Sequence, residues 1–191
     1  MDTTKAKRKS PDGVATNDLV HSALIGRNDQ LFPRIVSLYV PEGSLIADVT
    51  YGKGVFWNNI DISRYQLLKS DIKTERVGIN RRLDDLRARA VTADCRALPY
   101  ADNVFDAVVF DPPYMHTPGG TAHVDHQNYE EYYGNNTPAD GSGGAKYHDA
   151  VLELYFQAAK EALRVLKAHG VYIVKCQDEV CANQQRLTHV E

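Results

Sequence analysis

Apolar and polar positions change their period several times along the chain, and each change marks an element. Between residues 19 and 39, Leu24, Ile25, Leu31, Ile35, Val36 and Leu38 recur at helical spacing. Pro33 fits the first turn of a helix running to about Tyr39, and Pro41-Glu42-Gly43 then makes a turn. Residues 44–49 (SLIADV) are a short apolar run that stops at a glycine-rich turn. Residues 65–70 (YQLLKS) read as a second strand, 81–89 as a short helix, 90–93 as a brief third strand and 106–110 (DAVVF) as a fourth. From 149 to 167, Val151, Leu154, Tyr155, Ala158, Ala162 and Leu166 define an amphipathic helix that His169-Gly170 closes. A fifth strand follows at 171–175 (VYIVK). Strands alternating with helices predict an α/β fold, a parallel sheet covered by helices.

Two stretches have neither period. Residues 1–17 are polar, contain Pro11 and Gly13, and carry Lys5, Lys7, Arg8 and Lys9, which predicts a disordered basic arm. Residues 115–146 are rich in Gly, Pro, Asn, His and Tyr. Structureless stretches of that length inside a domain are usually functional or disordered.

Composition narrows the class. A length of 191 residues suits one domain, here 18–191, with the long loop inside it. No apolar run approaches the ~18 residues of a membrane span. The N-terminus lacks an apolar stretch, so no secretory signal is expected and the cytoplasm is the expected location. Three cysteines, Cys95, Cys176 and Cys181, do not form a disulfide framework and have no partners for a zinc site, so no metal is expected. A net charge of −3 argues against a protein that grips nucleic acid by bulk charge, although basic residues cluster in the arm and at Arg81, Arg82, Arg87 and Arg89.

Ligands of open parallel sheets sit beyond the carboxyl ends of the strands, so those ends hold the candidate chemistry. The first strand ends in Asp48-Val49-Thr50-Tyr51-Gly52-Lys53-Gly54, whose glycines permit a tight turn and a close approach by a ligand. It is no P-loop, because the spacing before Lys53 is wrong and no Ser or Thr follows. The second strand ends near Asp71, where a carboxylate can accept from two ribose hydroxyls. The third ends in Asp94-Cys95, a carboxylate with an adjoining amide, suited to an adenine edge. Each of these two, taken alone, reads more readily as a solvated turn residue. The fourth strand ends in Asp111-Pro112-Pro113-Tyr114, the most specific signal in the chain. Two prolines stop the ladder and fix a rigid turn. Asp111 and the Pro112 carbonyl then offer two acceptors to the two N–H groups of a planar amine, and Tyr114 offers a face for a base to stack on.

These motifs resemble the S-adenosylmethionine-dependent amino-methyltransferases of nucleic acids, the adenine-N6 and cytosine-N4 enzymes of DNA. Residues 48–57 (DVTYGKGVFW) are similar to that family's cofactor loop and 111–114 (DPPY) to its catalytic motif, within a likeness covering roughly 20–176. The helix around Phe32-Pro33 is similar to a segment that borders the methionine end of the cofactor in some members. The resemblance implies a Rossmann-like class I methyltransferase fold with helices on both faces of the sheet, and S-adenosylmethionine as cofactor. It implies cofactor contacts from Asp48, Thr50, Tyr51, Gly52, Gly54, Asp71, Asp94 and Cys95, and catalysis by Asp111, Pro112, Pro113 and Tyr114. Lys53 and the aromatic pair Phe56-Trp57 depart from the family's small-residue pattern. The family's sheet has seven strands, the last two a hairpin that the pattern here does not reveal. Either that pair is missing, or a protein partner or second copy covers the sheet edge.

The implied reaction is direct methylation of the exocyclic amino group of a base in DNA, with adenine favoured because the motif begins with Asp. The alternatives are an RNA base amino-methyltransferase, acting on guanine or adenine of ribosomal or transfer RNA, and an inactive nucleic-acid-binding module. No Pro-Cys motif is present, which disfavours carbon methylation through a thiolate.

Overall fold

The computed structural model describes residues 25–73, 90–112, 148–181 and 184–188. The basic arm at 1–17, the helix expected at 81–89, Pro113, Tyr114 and the loop at 115–146 lie outside the described residues. The elements are α1 (Asn28–Tyr39), β1 (Leu45–Asp48), β2 (Gln66–Asp71), β3 (Val91–Thr92), β4 (Phe105–Phe110), α2 (His148–Val165), β5 (Leu166–Val174), β6 (Glu179–Cys181) and β7 (Gln184–Arg186). Strands β1 to β5 form one sheet in the order β3-β2-β1-β4-β5. Every pairing in it is parallel.

A parallel sheet is buried on both faces, and the side-chain alternation of β1 and β4 shows it. Ile46, Ala107 and Val109 point to one side, where they pack with Phe32 and Val36 of α1 and with Tyr51, Phe56, Trp57 and Leu67. Ala47, Val108 and Phe110 point to the other, against Ala158, Ala162 and Val165 of α2 and against Cys95, Leu98 and Leu166. Helices therefore cover both faces. Together with the strand order, this is a Rossmann-like doubly wound architecture, as the sequence predicts.

Several boundaries differ from expectation. Pro33 lies in the second turn of α1 and not the first. A proline there has no N–H for the carbonyl four residues back, and the side chain of Asn59 donates to that Asp29 carbonyl instead, at 2.8 Å. His169-Gly170 is no helix cap. The helix ends at Val165, and Leu166 already pairs with Phe105 of β4. The register then shifts before Val171 meets Ala107, and His169 takes the left-handed conformation, φ 66°, within this irregular stretch. Gly170 is required by space, since a Cβ there would stand 2.8 Å from a Leu166 methyl and 3.0 Å from the Lys167 carbonyl oxygen.

Among the described residues the main sheet has five strands, so the last two of the expected seven are not part of it, but a separate hairpin follows β5. Strands β6 and β7 pair antiparallel, Glu179 with Arg186 and Cys181 with Gln184, as a two-stranded unit that does not join the five-stranded sheet. No described helix is long and apolar enough to cross a membrane.

Candidate active site at the carboxyl edge of the sheet

Strands β1 and β4 are neighbours whose onward chains leave to opposite flanks of the sheet, and a crevice opens where such paths diverge. The loop after β1 forms one wall. Gly52 and Gly54 hold φ values of 49° and 66°, a region that side chains disfavour. The two glycines serve different ends. A Cβ on Gly52 would meet nothing closer than 3.9 Å, so its backbone borders open space. A Cβ on Gly54 would lie 2.4 Å from the Tyr51 hydroxyl, so that glycine makes room for the tyrosine.

Asp48 faces inward. It is 3% exposed and accepts the indole N–H of Trp57 at 2.7 Å and the backbone N–H of Thr50 at 3.2 Å. Burial pushes its carboxyl up to about 7 against the pull of those two bonds, with the charges of Asp111 and Asp71 adding to the push. The geometry makes Asp48 the residue that shapes the loop. Trp57 packs edge-on against Phe32 of α1, and Phe56 stacks on Phe32 with ring centres 4.5 Å apart. The aromatic pair that departs from the family pattern thus anchors the loop to α1.

Hydrogen bonds tie the strand ends together. The hydroxyl of Thr50 accepts from the backbone N–H of Asp111 at 2.7 Å, joining the glycine loop to the start of the Asp-Pro turn. Asp71 accepts from the N–H of Gly52 and of Lys73, each at 2.9 Å, and its own carbonyl accepts from Ala93. Each Asp71 oxygen keeps acceptor capacity for a hydroxyl, because a carboxylate offers about four lone-pair sites.

Asp94 is more engaged than the sequence suggested. Both of its oxygens accept from the Arg96 guanidinium, the shortest contact being 2.6 Å, and Oδ1 also accepts the Arg96 N–H. Burial alone would raise this carboxyl, but Arg96 outweighs it and holds it below the usual range. Cys95 is buried, and that burial pushes its thiol up to about 12, so it is no thiolate nucleophile. Tyr51 is buried, with the ammonium of Lys69 5.2 Å from its ring centre, and its hydroxyl has no hydrogen-bond partner among the described residues.

Asp111 stands at the end of β4, followed by a fully buried Pro112. Its Oδ1 is buried, and the Lys175 ammonium faces it at 3.2 Å. Burial raises the Asp111 carboxyl and Lys175 partly opposes that. Lys175 escaped the sequence reading. It follows β5, and its ammonium also sits 5.7 Å from the centre of the Phe56 ring. The structure therefore gathers Thr50, Tyr51, Gly52, Asp71 and Asp111 along one edge with Asp48 beneath them. No group of three or more metal-ligating side chains occurs among the described residues.

No protein-family model matches the chain, and no curated protein does. Solved structures are similar to it. The PH0226 protein of Pyrococcus horikoshii OT3 is 17% identical with a TM-score of 0.50, over 76% of this chain and 55% of that one. The sugar N-methyltransferase KedS8 of a Streptoalloteichus species is 15% identical with a TM-score of 0.46, over 86% and 59%. The [4+2]-cyclase SpnF is 20% identical with a TM-score of 0.47, over 76% and 44%. The chain spans about half the length of the solved structures it matches. At such identities the likeness is one of fold.

Proposed function

We propose that the protein transfers a methyl group from S-adenosylmethionine to the exocyclic amino group of a base in DNA, with adenine the favoured base. One observation carries the reading: Asp111-Pro112 leaves β4 beside the glycine loop of β1, and Thr50 bonds the two. A rigid acceptor for an amine and an open backbone for a cofactor thus lie side by side.

The residues fit the cofactor at most points. Gly52 leaves space, Asp71 keeps acceptor capacity for ribose hydroxyls, and the unpartnered Tyr51 hydroxyl awaits a polar group. Asp94 fits less simply, because Arg96 already covers its carboxylate, so an adenine edge would share or displace that arginine. When bound, S-adenosylmethionine supplies an electrophilic methyl group on a positively charged sulfur.

The chain's own residues hold the amine. The Asp111 carboxylate accepts an N–H of the target, fixing the nitrogen lone pair toward the cofactor side, and positioning of this kind supplies much of the rate. The buried Pro112 and the Thr50 bond keep Asp111 from drifting. Burial makes the Asp111 carboxylate a stronger base than in water, so it is suited to take the proton the nitrogen loses and pass it to solvent. Pro113 and Tyr114 follow directly, and Tyr114 supplies the stacking face.

Tritiated methyl transfer to bulk DNA and to bulk RNA tests the reading. Label in DNA that Asp111→Ala abolishes, with cofactor binding retained in calorimetry, is the expected result. Label in RNA alone moves the substrate to RNA. Cofactor binding without label in either polymer points to an inactive binding module, and the absence of both refutes the proposal.

A further inference from the structure

We propose that Lys175 is a positioning residue that keeps Asp111 ionised, so that the buried carboxyl accepts from an amino group and does not donate to it. The inference rests on the function proposed above for Asp111, but its central test does not need activity.

The argument starts from how firmly Lys175 is held. Its backbone N–H donates to the Phe110 carbonyl at 3.0 Å, and its own carbonyl accepts the Tyr155 hydroxyl at 2.7 Å. The side chain is therefore launched from a point fixed by both β4 and α2. Its ammonium faces the Phe56 ring at 5.7 Å and Asp111 Oδ1 at 3.2 Å. Both side chains are mostly buried, at 26% and 28% exposure, where charge pairs are screened far less than at the surface.

Asp111 needs such a partner. A buried carboxyl favours its neutral form, which carries an O–H that would oppose the N–H of an incoming amine. Asp48, on the neighbouring strand β1, adds negative charge that works in the same direction whenever it is ionised. The third neighbour, Thr50, bonds the Asp111 backbone and brings no charge. Among the described residues, Lys175 is the cation that faces Asp111. It faces the buried Oδ1 and so leaves the second carboxylate oxygen as the acceptor. This gives Phe56 a second task beyond anchoring the loop, as the surface on which the ammonium rests.

The test is a carboxyl-carbon NMR titration of protein labelled at the aspartate side chains, with the Asp111 signal assigned by its loss in Asp111→Asn. In Lys175→Met the Asp111 midpoint should rise by about 1–3 pH units, the usual effect of a charge partner at this range. Lys175→Arg should restore a midpoint near the wild-type value. Lys175→Gln serves as the second uncharged variant should the Met protein fail to fold. With a methylated acceptor in hand, the acidic limb of kcat/KM should move upward by the same amount in the uncharged variants. An Asp111 midpoint unchanged in a folded uncharged variant overturns the inference, whatever the enzymology shows. A shifted midpoint in a protein that methylates neither DNA nor RNA upholds the role of Lys175 and fails only the proposed function.

Discussion

Replacing Asp48 with asparagine should change the sign of its effect on stability between acid and mildly alkaline solution. The carboxyl is buried and rises from 3.8 to about 7 on folding. The native state therefore holds an extra proton between pH ~4 and ~7, and stability falls as pH climbs through that window. The stability is fully present below the unfolded value and lost as pH passes the folded one. At 1.36 kcal/mol per pH unit, ionising Asp48 costs the wild-type fold about 4 kcal/mol by pH 8. Asparagine removes that cost. Its amide oxygen can still accept from the Trp57 indole, the shorter of the two bonds, but its NH2 then faces the Thr50 N–H. Setting two donors against each other costs roughly 1–2 kcal/mol. Asp48→Asn should thus be less stable than wild type by about 1–2 kcal/mol at pH 3 and more stable by about 2–3 kcal/mol at pH 8. Urea denaturation reads both, following fluorescence of Trp57, the single tryptophan, alongside circular dichroism. A difference between the two proteins that stays constant across pH would show that Asp48 is ionised throughout and that the burial argument fails.

Other substitutions probe the edge one contact at a time. Gly54→Ala places a Cβ 2.4 Å from the Tyr51 hydroxyl at a φ of 66°, and thermal or urea unfolding should show a loss of roughly 1–3 kcal/mol. Thr50→Val strands the Asp111 N–H and should cost about 1–3 kcal/mol, with Thr50→Ser recovering most of it; equal stability of the three proteins would remove that bond from the account. Asp71→Ala should weaken S-adenosylmethionine binding in calorimetry by about 1–3 kcal/mol, and an unchanged affinity would reject Asp71 as a cofactor ligand.

The parts of this molecule that the sequence made legible are those set by local pattern. Strands β1, β2 and β4 fall within a residue or so of expectation, because buried parallel strands are continuous apolar runs bounded by turn residues. Asp71 and Asp111 could be placed at strand ends for the same reason. What stayed hidden depends on which residues meet across the sheet. Lys175 is one charge after an apolar run, and nothing nearby in sequence announces Asp111; only the β4–β5 register brings them together. In the sequence Trp57 is an oddity of the loop; in the fold its indole donates to a buried carboxyl 9 residues away. The Arg96 grip on Asp94 spans only two residues, yet nothing in the sequence says that a ligand at this position must share the carboxylate with the arginine. Strands β6 and β7 escaped because Gln184, Gln185 and Arg186 lack apolar alternation.

The place of β1 in the strand order has a consequence for how the chain is made. Ile46 pairs on one side with Leu67 and on the other with Ala107, 21 and 61 residues downstream. A nascent chain leaving the ribosome can zip β1 to β2 early, while the opposite edge of β1 stays bare until β4 emerges. During that interval an apolar strand edge is open to wrong partners, a hazard of slow parallel pairing. Completion of β4 ends the exposure and, in the same event, delivers the Asp111 N–H to Thr50. Covering of the β1 edge and formation of the Thr50–Asp111 bond are thus a single step in biosynthesis.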